Sequence, residues 1–89
     1  MQNGRKNHPP PLVAAVRQVM KLIYPLHVRV GYSGRQAKLT LPTYHPQKTG
    51  FLCLRLTPKG MVITTKGEFN KYREAVHRIV RTIPTEGGE

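Results

Sequence analysis

Aspartate is missing from this chain, and acids of any kind are scarce: four glutamates stand against fifteen lysines and arginines. Two of the four, Glu86 and Glu89, sit in a glycine-rich tail. Only Glu68 and Glu74 belong to the body of the chain, and Glu68 is already placed in a helix-capping pattern. Paired-carboxylate catalysis and magnesium binding both need convergent carboxylates, so neither is expected. Cysteine is as rare. Cys53 is alone and cannot form an internal disulfide, which points to a reducing compartment, the cytosol first and the nucleus as alternative. His8, His45, His77 and Cys53 lack the spacing of a metal site, and no metal or other cofactor is expected. No apolar run precedes Leu12, so no secretory signal is read there. No stretch reaches the roughly 18 apolar residues of a membrane span. The chain reads as a non-enzyme; a ribonuclease built on His, Tyr and Arg alone is the one catalytic alternative left open.

Positive charge is what the chain has in excess. The net charge is +11 and the isoelectric point is near 10.6. A folded body this basic repels itself unless a polyanion neutralises it, and nucleic acid is the usual one, an anionic membrane surface the less usual. A solvated surface tuned for solubility is the plain alternative. With 89 residues the chain makes one small domain that buries about 60–65% of its unfolded surface. Its hydrophobic content of 38% is low for a self-sufficient fold, which leaves room for a partner to complete the core.

The stretch from Gly50 to Ile83 organises the rest. Gly-Phe-Leu-Cys-Leu-Arg-Leu, the turn Thr-Pro-Lys-Gly and Met-Val-Ile-Thr-Thr-Lys form a hairpin. With Pro58-Lys59 as the loop, Leu56 faces Met61, Leu54 faces Ile63 and Leu52 faces Thr65. One face is then apolar, and the other carries Phe51, Cys53, Arg55, Val62, Thr64 and Lys66. Thr65-Lys66-Gly67-Glu68 is a capping-box pattern with a threonine N-cap. Behind it Phe69, Tyr72, Val76, Ile79 and Ile83 recur at helical steps.

Before this stretch, residues 1–8 read as a flexible basic arm and 9–84 as a single domain. Pro11 suits the first position of a helix. From Leu12 to Tyr24, Leu12, Val13, Val16, Val19, Met20 and Ile23 share one face, and Pro25 stops the helix. Leu26 to Leu41 reads as a second hairpin turning at Gly34-Arg35, with Val30 opposite Leu39 and Val28 opposite Leu41. Residues 42–49 are a loop with two prolines. Residues 85–89 are a frayed tail. The expected fold is α+β: an antiparallel sheet of three or four strands with two helices on one face. The order is α-β-β-β-β-α, or α-β-β-β-α if residues 37–41 are loop.

The face opposite the helices is where chemistry is expected. Arg29, Lys38, Arg55 and Lys66, with His27, place cations on it, and Phe51 and Cys53 lie between them. Arg35 and Lys59 crown the two turns, and Lys48 sits on the long loop. Such a platform suits a phosphate backbone, with Phe51 and Tyr44 stacking on unpaired bases. The last helix carries a second cationic side, Lys71, Arg73, Arg78 and Arg81, which the helix dipole accounts for in part. Gly31-Tyr32-Ser33-Gly34 spells the G-x-x-G of some RNA-clamping loops, but it joins two strands and reads as a plain turn.

Tyr32-Ser33-Gly34-Arg35, Cys53-Leu54-Arg55-Leu56-Thr57 and Phe69-Asn70-Lys71-Tyr72, in a helix–strands–helix order over residues 12–82, carry a resemblance. The chain resembles the Alu-domain subunits of the signal recognition particle, which share an α-β-β-β-α fold and bind RNA as a heterodimer. That resemblance implies RNA contacts from Arg29, Arg35, Arg55 and Lys66 and a sister subunit completing the sheet. Lys59-Gly60-Met61-Val62-Ile63 with Phe69, Tyr72 and Val76 is similar to positive-cofactor-type single-stranded-DNA-binding coactivators, and implies a single-stranded-DNA-binding transcription cofactor. The expected function is therefore nucleic-acid binding, RNA ahead of single-stranded DNA, within a ribonucleoprotein. The rival is an interaction subunit forming a homo- or heterodimer through a sheet edge, with Leu39–Leu41 or Met61–Lys66 as the docking strand.

Overall fold

The structure, a computed structural model, describes residues 9–41 and 49–84. The basic arm, the loop with Tyr44 and Lys48, and the tail lie outside the described residues. Helix α1 spans Pro10–Ile23, and Pro9 is its N-cap. Pro10 and Pro11 take the first helical positions, where a missing N–H leaves no hydrogen bond unmade, so the helix begins ahead of Leu12. Leu12, Ala15, Val16, Val19 and Ile23 are buried. Met20, expected on that face, is instead 40% exposed. At 3.6 residues per turn it lies about 85° from the centre of the buried stripe, beside the half-buried Val13.

Four strands follow: β1 Arg29–Ser33, β2 Gln36–Thr40, β3 Gly50–Thr57 and β4 Gly60–Gly67. They form one antiparallel sheet in the order β1-β2-β3-β4, a meander in which each strand pairs with its sequence neighbour. Residues 36–40 are therefore a strand, and the fold is α-β-β-β-β-α rather than the three-strand alternative. The β1–β2 turn has Gly34 first, at φ +60°, the two-residue loop that glycine permits. Its register sets Val30 against Leu39, and β3–β4 sets Leu52, Leu54 and Leu56 against Thr65, Ile63 and Met61. Both registers are those that alternation and turn chemistry demand. Because β2 is paired on both sides, Leu39–Leu41 offers no docking edge. The edges are β1 and β4.

The end of β4 departs from the capping box. Thr65 is inside the strand and buried, and its hydroxyl donates to Asn70 Oδ1 at 2.8 Å instead of capping a helix. The chain turns at Gly67, which has φ +59°, into a 3₁₀ segment Glu68–Tyr72 and then α2, Arg73–Thr82. Neither segment has a side-chain N-cap bond. Burial decides the matter: a threonine on the inward face of a strand cannot also sit at a solvated helix start. Both helices pack on the same side of the sheet, α1 against β2 and β3 and α2 against β4, and they touch each other. Leu12, Leu39, Leu52, Leu54, Val19, Phe69 and Val76 are fully enclosed between the two layers. Among the described residues, no helix is long and apolar enough to cross a membrane.

Candidate nucleic-acid interface

With the inward positions of the sheet consumed by the core, the alternate positions face outward and no helix covers them. The ladder pairs arrange them in rows. Arg29, Thr40, Phe51 and Lys66 form one row across the four strands. The next is Gly31, Lys38, Cys53 and Thr64, and the third is Ser33, Gln36, Arg55 and Val62. Every strand places one cation on this face, and no acid appears in any row. Arg29, Lys38, Arg55 and Lys66 are all exposed. The only ion pair among the described residues, Lys71–Glu68 at 3.1 Å, is in the 3₁₀ segment and not on this face.

Phe51 is half-buried in the first row, and Lys38 Nζ lies 4.7 Å from its ring centroid, a cation–π contact. A shallow hollow of about 270 Å³ lies alongside, walled by Phe51, Cys53, Val62 and Thr64 and bounded by Lys38 and Arg55. Val62 stands 49% exposed in it, an apolar side chain on an otherwise polar surface.

Both tight turns lie at the same end of the sheet, because β1–β2 and β3–β4 are alternate connections of a meander, with the β2–β3 connection at the other end. Arg35 and Lys59 are there, both exposed. The Leu56 N–H donates to the Arg35 carbonyl at 2.8 Å, and Arg35 Nε donates to the Leu56 carbonyl at 3.4 Å, so the first turn is tied to β3. The Thr57 hydroxyl donates to the Gly60 carbonyl and accepts from the Lys59 N–H, closing the second turn. Between the turns a second hollow, about 460 Å³, is lined by Ser33, Arg35, Gln36, Arg55 and Thr57 among others. Arg55 and Gln36 line both hollows, so the two adjoin and together form a trough from the turn end onto the face.

No known protein family, curated protein or solved structure matches the chain.

The outward face therefore brings together five of the residues singled out from the sequence: Arg29, Lys38, Phe51, Arg55 and Lys66. Arg35 and Lys59 join them at the turn end, and Lys48 lies outside the described residues. His27 precedes β1 and is exposed. Sequence reasoning missed Gln36 and Ser33, whose outward positions follow from the same alternation. It also missed the trough, which depends on how neighbouring strands align. On the opposite side, Glu74, His77, Arg78 and Arg81 of α2 border a separate hollow of about 390 Å³, and there a carboxylate dilutes the charge. Among the described residues no cluster of His, Cys, Asp and Glu is able to hold a metal ion.

Proposed function

We propose that this protein is a non-enzymatic nucleic-acid-binding module that uses the open face of its sheet, with RNA ahead of single-stranded DNA. One observation carries the reading: four strands each present a cation on one uncovered face, and no acid shares it. Solubility needs no such segregation, since mixed charges serve it as well. A phosphate backbone laid on the face releases counterions from every contact, and Phe51 and Val62 supply apolar surface for bases. The likeness of the motifs around Arg35, Arg55 and Tyr72 to Alu-domain subunits of the signal recognition particle supports RNA and a place in a ribonucleoprotein. The test is a titration with single-stranded RNA, duplex RNA and single-stranded DNA at two salt concentrations. The double substitution Arg29→Glu with Arg55→Glu should abolish binding while the circular-dichroism spectrum is retained. Undiminished binding by that variant would dismiss the face.

A second reading is favoured by β4. It is an edge strand of eight residues without proline, and Lys66 is its only charge. Such an edge templates pairing with another strand. Under this reading the chain is an interaction subunit that dimerises along Met61–Lys66. Sedimentation equilibrium of the wild type and of Val62→Lys decides it, a monomer at all concentrations counting against it.

A further inference from the structure

The cations on the open face are not scattered. Arg29 is in the first row on β1, Lys38 in the second on β2 and Arg55 in the third on β3. Each step moves one strand across and two residues along, about 8 Å between Cα positions from the ordinary strand spacing and rise. The next step along this diagonal reaches the end of β4, where Lys59 stands on the turn and Arg35 across the trough. Charge thus runs as an oblique line from one corner of the sheet to the turn end.

The two sides of the line differ. Toward β1 lie only Gly31, Ser33 and Gln36. Toward β4 lie Thr40, Phe51, Cys53, Thr64 and Val62, a neutral and largely apolar field containing the 270 Å³ hollow. Lys66 is the one cation beyond that field, in the far corner. Lys38 belongs to both, since its ammonium leans over the Phe51 ring.

We infer that the face is a track for an unpaired strand: successive phosphates follow the diagonal Arg29–Lys38–Arg55 toward the turns, and the bases turn to the β4 side over Phe51. The inference rests on the nucleic-acid reading above and names its ligand as single-stranded, with three to four phosphates engaged. The spacing of the diagonal is close to that of successive phosphates in an extended strand, and a strand with its bases to one side matches an apolar field on one side only. A duplex does not fit this division. Its bases are stacked inward, so nothing reaches the ring of Phe51, and its backbone curves away from a sheet of four short strands. When a base covers the ring, Lys38 moves from the ring to the phosphate beside it.

The experiment measures affinity against salt for the whole chain and five single substitutions, Arg29→Gln, Lys38→Gln, Arg55→Gln, Lys66→Gln and Phe51→Ala. The probes are an eight-nucleotide single-stranded RNA, the same backbone without bases, and a duplex RNA. For the intact strand the wild-type slope of log K against log salt is expected near −2 to −3, at about 0.7 per neutralised phosphate. Each of the three diagonal substitutions should flatten it by about 0.7, and Lys66→Gln, which lies off the diagonal, should flatten it by less. Phe51→Ala should weaken the base-containing strand about 5- to 100-fold and leave the baseless strand alone. If all four lysine and arginine substitutions flatten the slope equally, or if strands with and without bases bind alike, the track is overturned while the nucleic-acid reading stands. If the wild type binds none of the three probes, both fall.

Discussion

Gly50 and Gly67 face each other at the open end of the β3–β4 ladder, and they are where a single atom matters most. Gly50 has φ +138° and Gly67 φ +59°, both in the region that side chains avoid. A Cβ on Gly50 would strike the Lys66 carbonyl, and one on Gly67 the Thr49 carbonyl. The two backbones need that closeness, because the Glu68 N–H donates to the Thr49 carbonyl at 2.8 Å and starts the 3₁₀ segment. Gly67→Ala should lower the unfolding free energy by about 1–3 kcal/mol from backbone strain, with more from the clash, as read by urea denaturation. Thr65→Val keeps the shape and removes only the bond to Asn70, so its effect should be about 1 kcal/mol. Equal effects from the two substitutions would mean the glycine geometry is not needed. The Glu68 carboxylate, which accepts a hydrogen bond from Lys71 and attracts its charge, holds the Lys71 ammonium above the ordinary lysine value. Stability from a raised lysine is present below its unfolded pKa and is lost as pH rises through the folded one. At pH 7 that contribution is present in full, but Lys71 is exposed to solvent and its ion pair is screened, so Lys71→Met should leave the melting midpoint nearly unchanged, and raising the pH through the lysine range should do the same.

Among the elements, the 3₁₀ segment and α2 depend on the sheet more than on themselves. Ten residues of helix are too few to be stable alone in water, and no side chain caps either start. Phe69 supplies the attachment. It is fully enclosed, against β3 and β4 below and Tyr72 beside it, whose ring centroid is 6.4 Å away. Phe69→Ala should cost about 3–5 kcal/mol, a large part of the stability of a domain this small. Loss of helical circular dichroism and of cooperative melting together would register it. A variant that loses helix signal but keeps the sheet's thermal transition would instead make α2 an independent appendage. The strand β2 plays the complementary part at the sheet's centre. Ala37 and Leu39 are enclosed, and their outward neighbours Lys38 and Gln36 belong to the trough. Core and candidate interface thus share one strand, separated only by the two-residue alternation.

Across the whole molecule the dominant force outside the core is self-repulsion. Net charge is +11, and one ion pair among the described residues does little to offset it. Salt screens such repulsion over about 10 Å at 0.1 M, so the melting midpoint should rise as sodium chloride increases from low to moderate concentration. A polyanion acts the same way at much lower concentration. Single-stranded RNA at low salt should raise the midpoint further than any salt alone, and that increment should vanish in the Arg29→Glu, Arg55→Glu double variant. Differential scanning fluorimetry reads both trends. A midpoint that falls with salt would mean that attraction, not repulsion, governs the surface.

Both hairpin registers were legible in the amino-acid sequence, because side chains alternate with period two and a slip of one residue would turn Leu52, Leu54 and Ile63 to water. Gly34 and Pro58-Lys59 gave the turns, and the outward positions of Arg29, Lys38, Phe51, Arg55 and Lys66 follow from the same alternation. The start of the last helix was not legible. Thr65-Lys66-Gly67-Glu68 satisfies a capping pattern locally, and only the burial of Thr65 against the core assigns its hydroxyl to Asn70. The narrow buried stripe of α1, which excludes Met20, was also decided by what the sheet offers it. So too was the diagonal of Arg29, Lys38 and Arg55. Spacing along the chain says which face a residue takes and the hairpins pair β1 with β2 and β3 with β4, but bringing Lys38 beside Arg55 needs the β2–β3 pairing across residues 42–49, which no local pattern encodes.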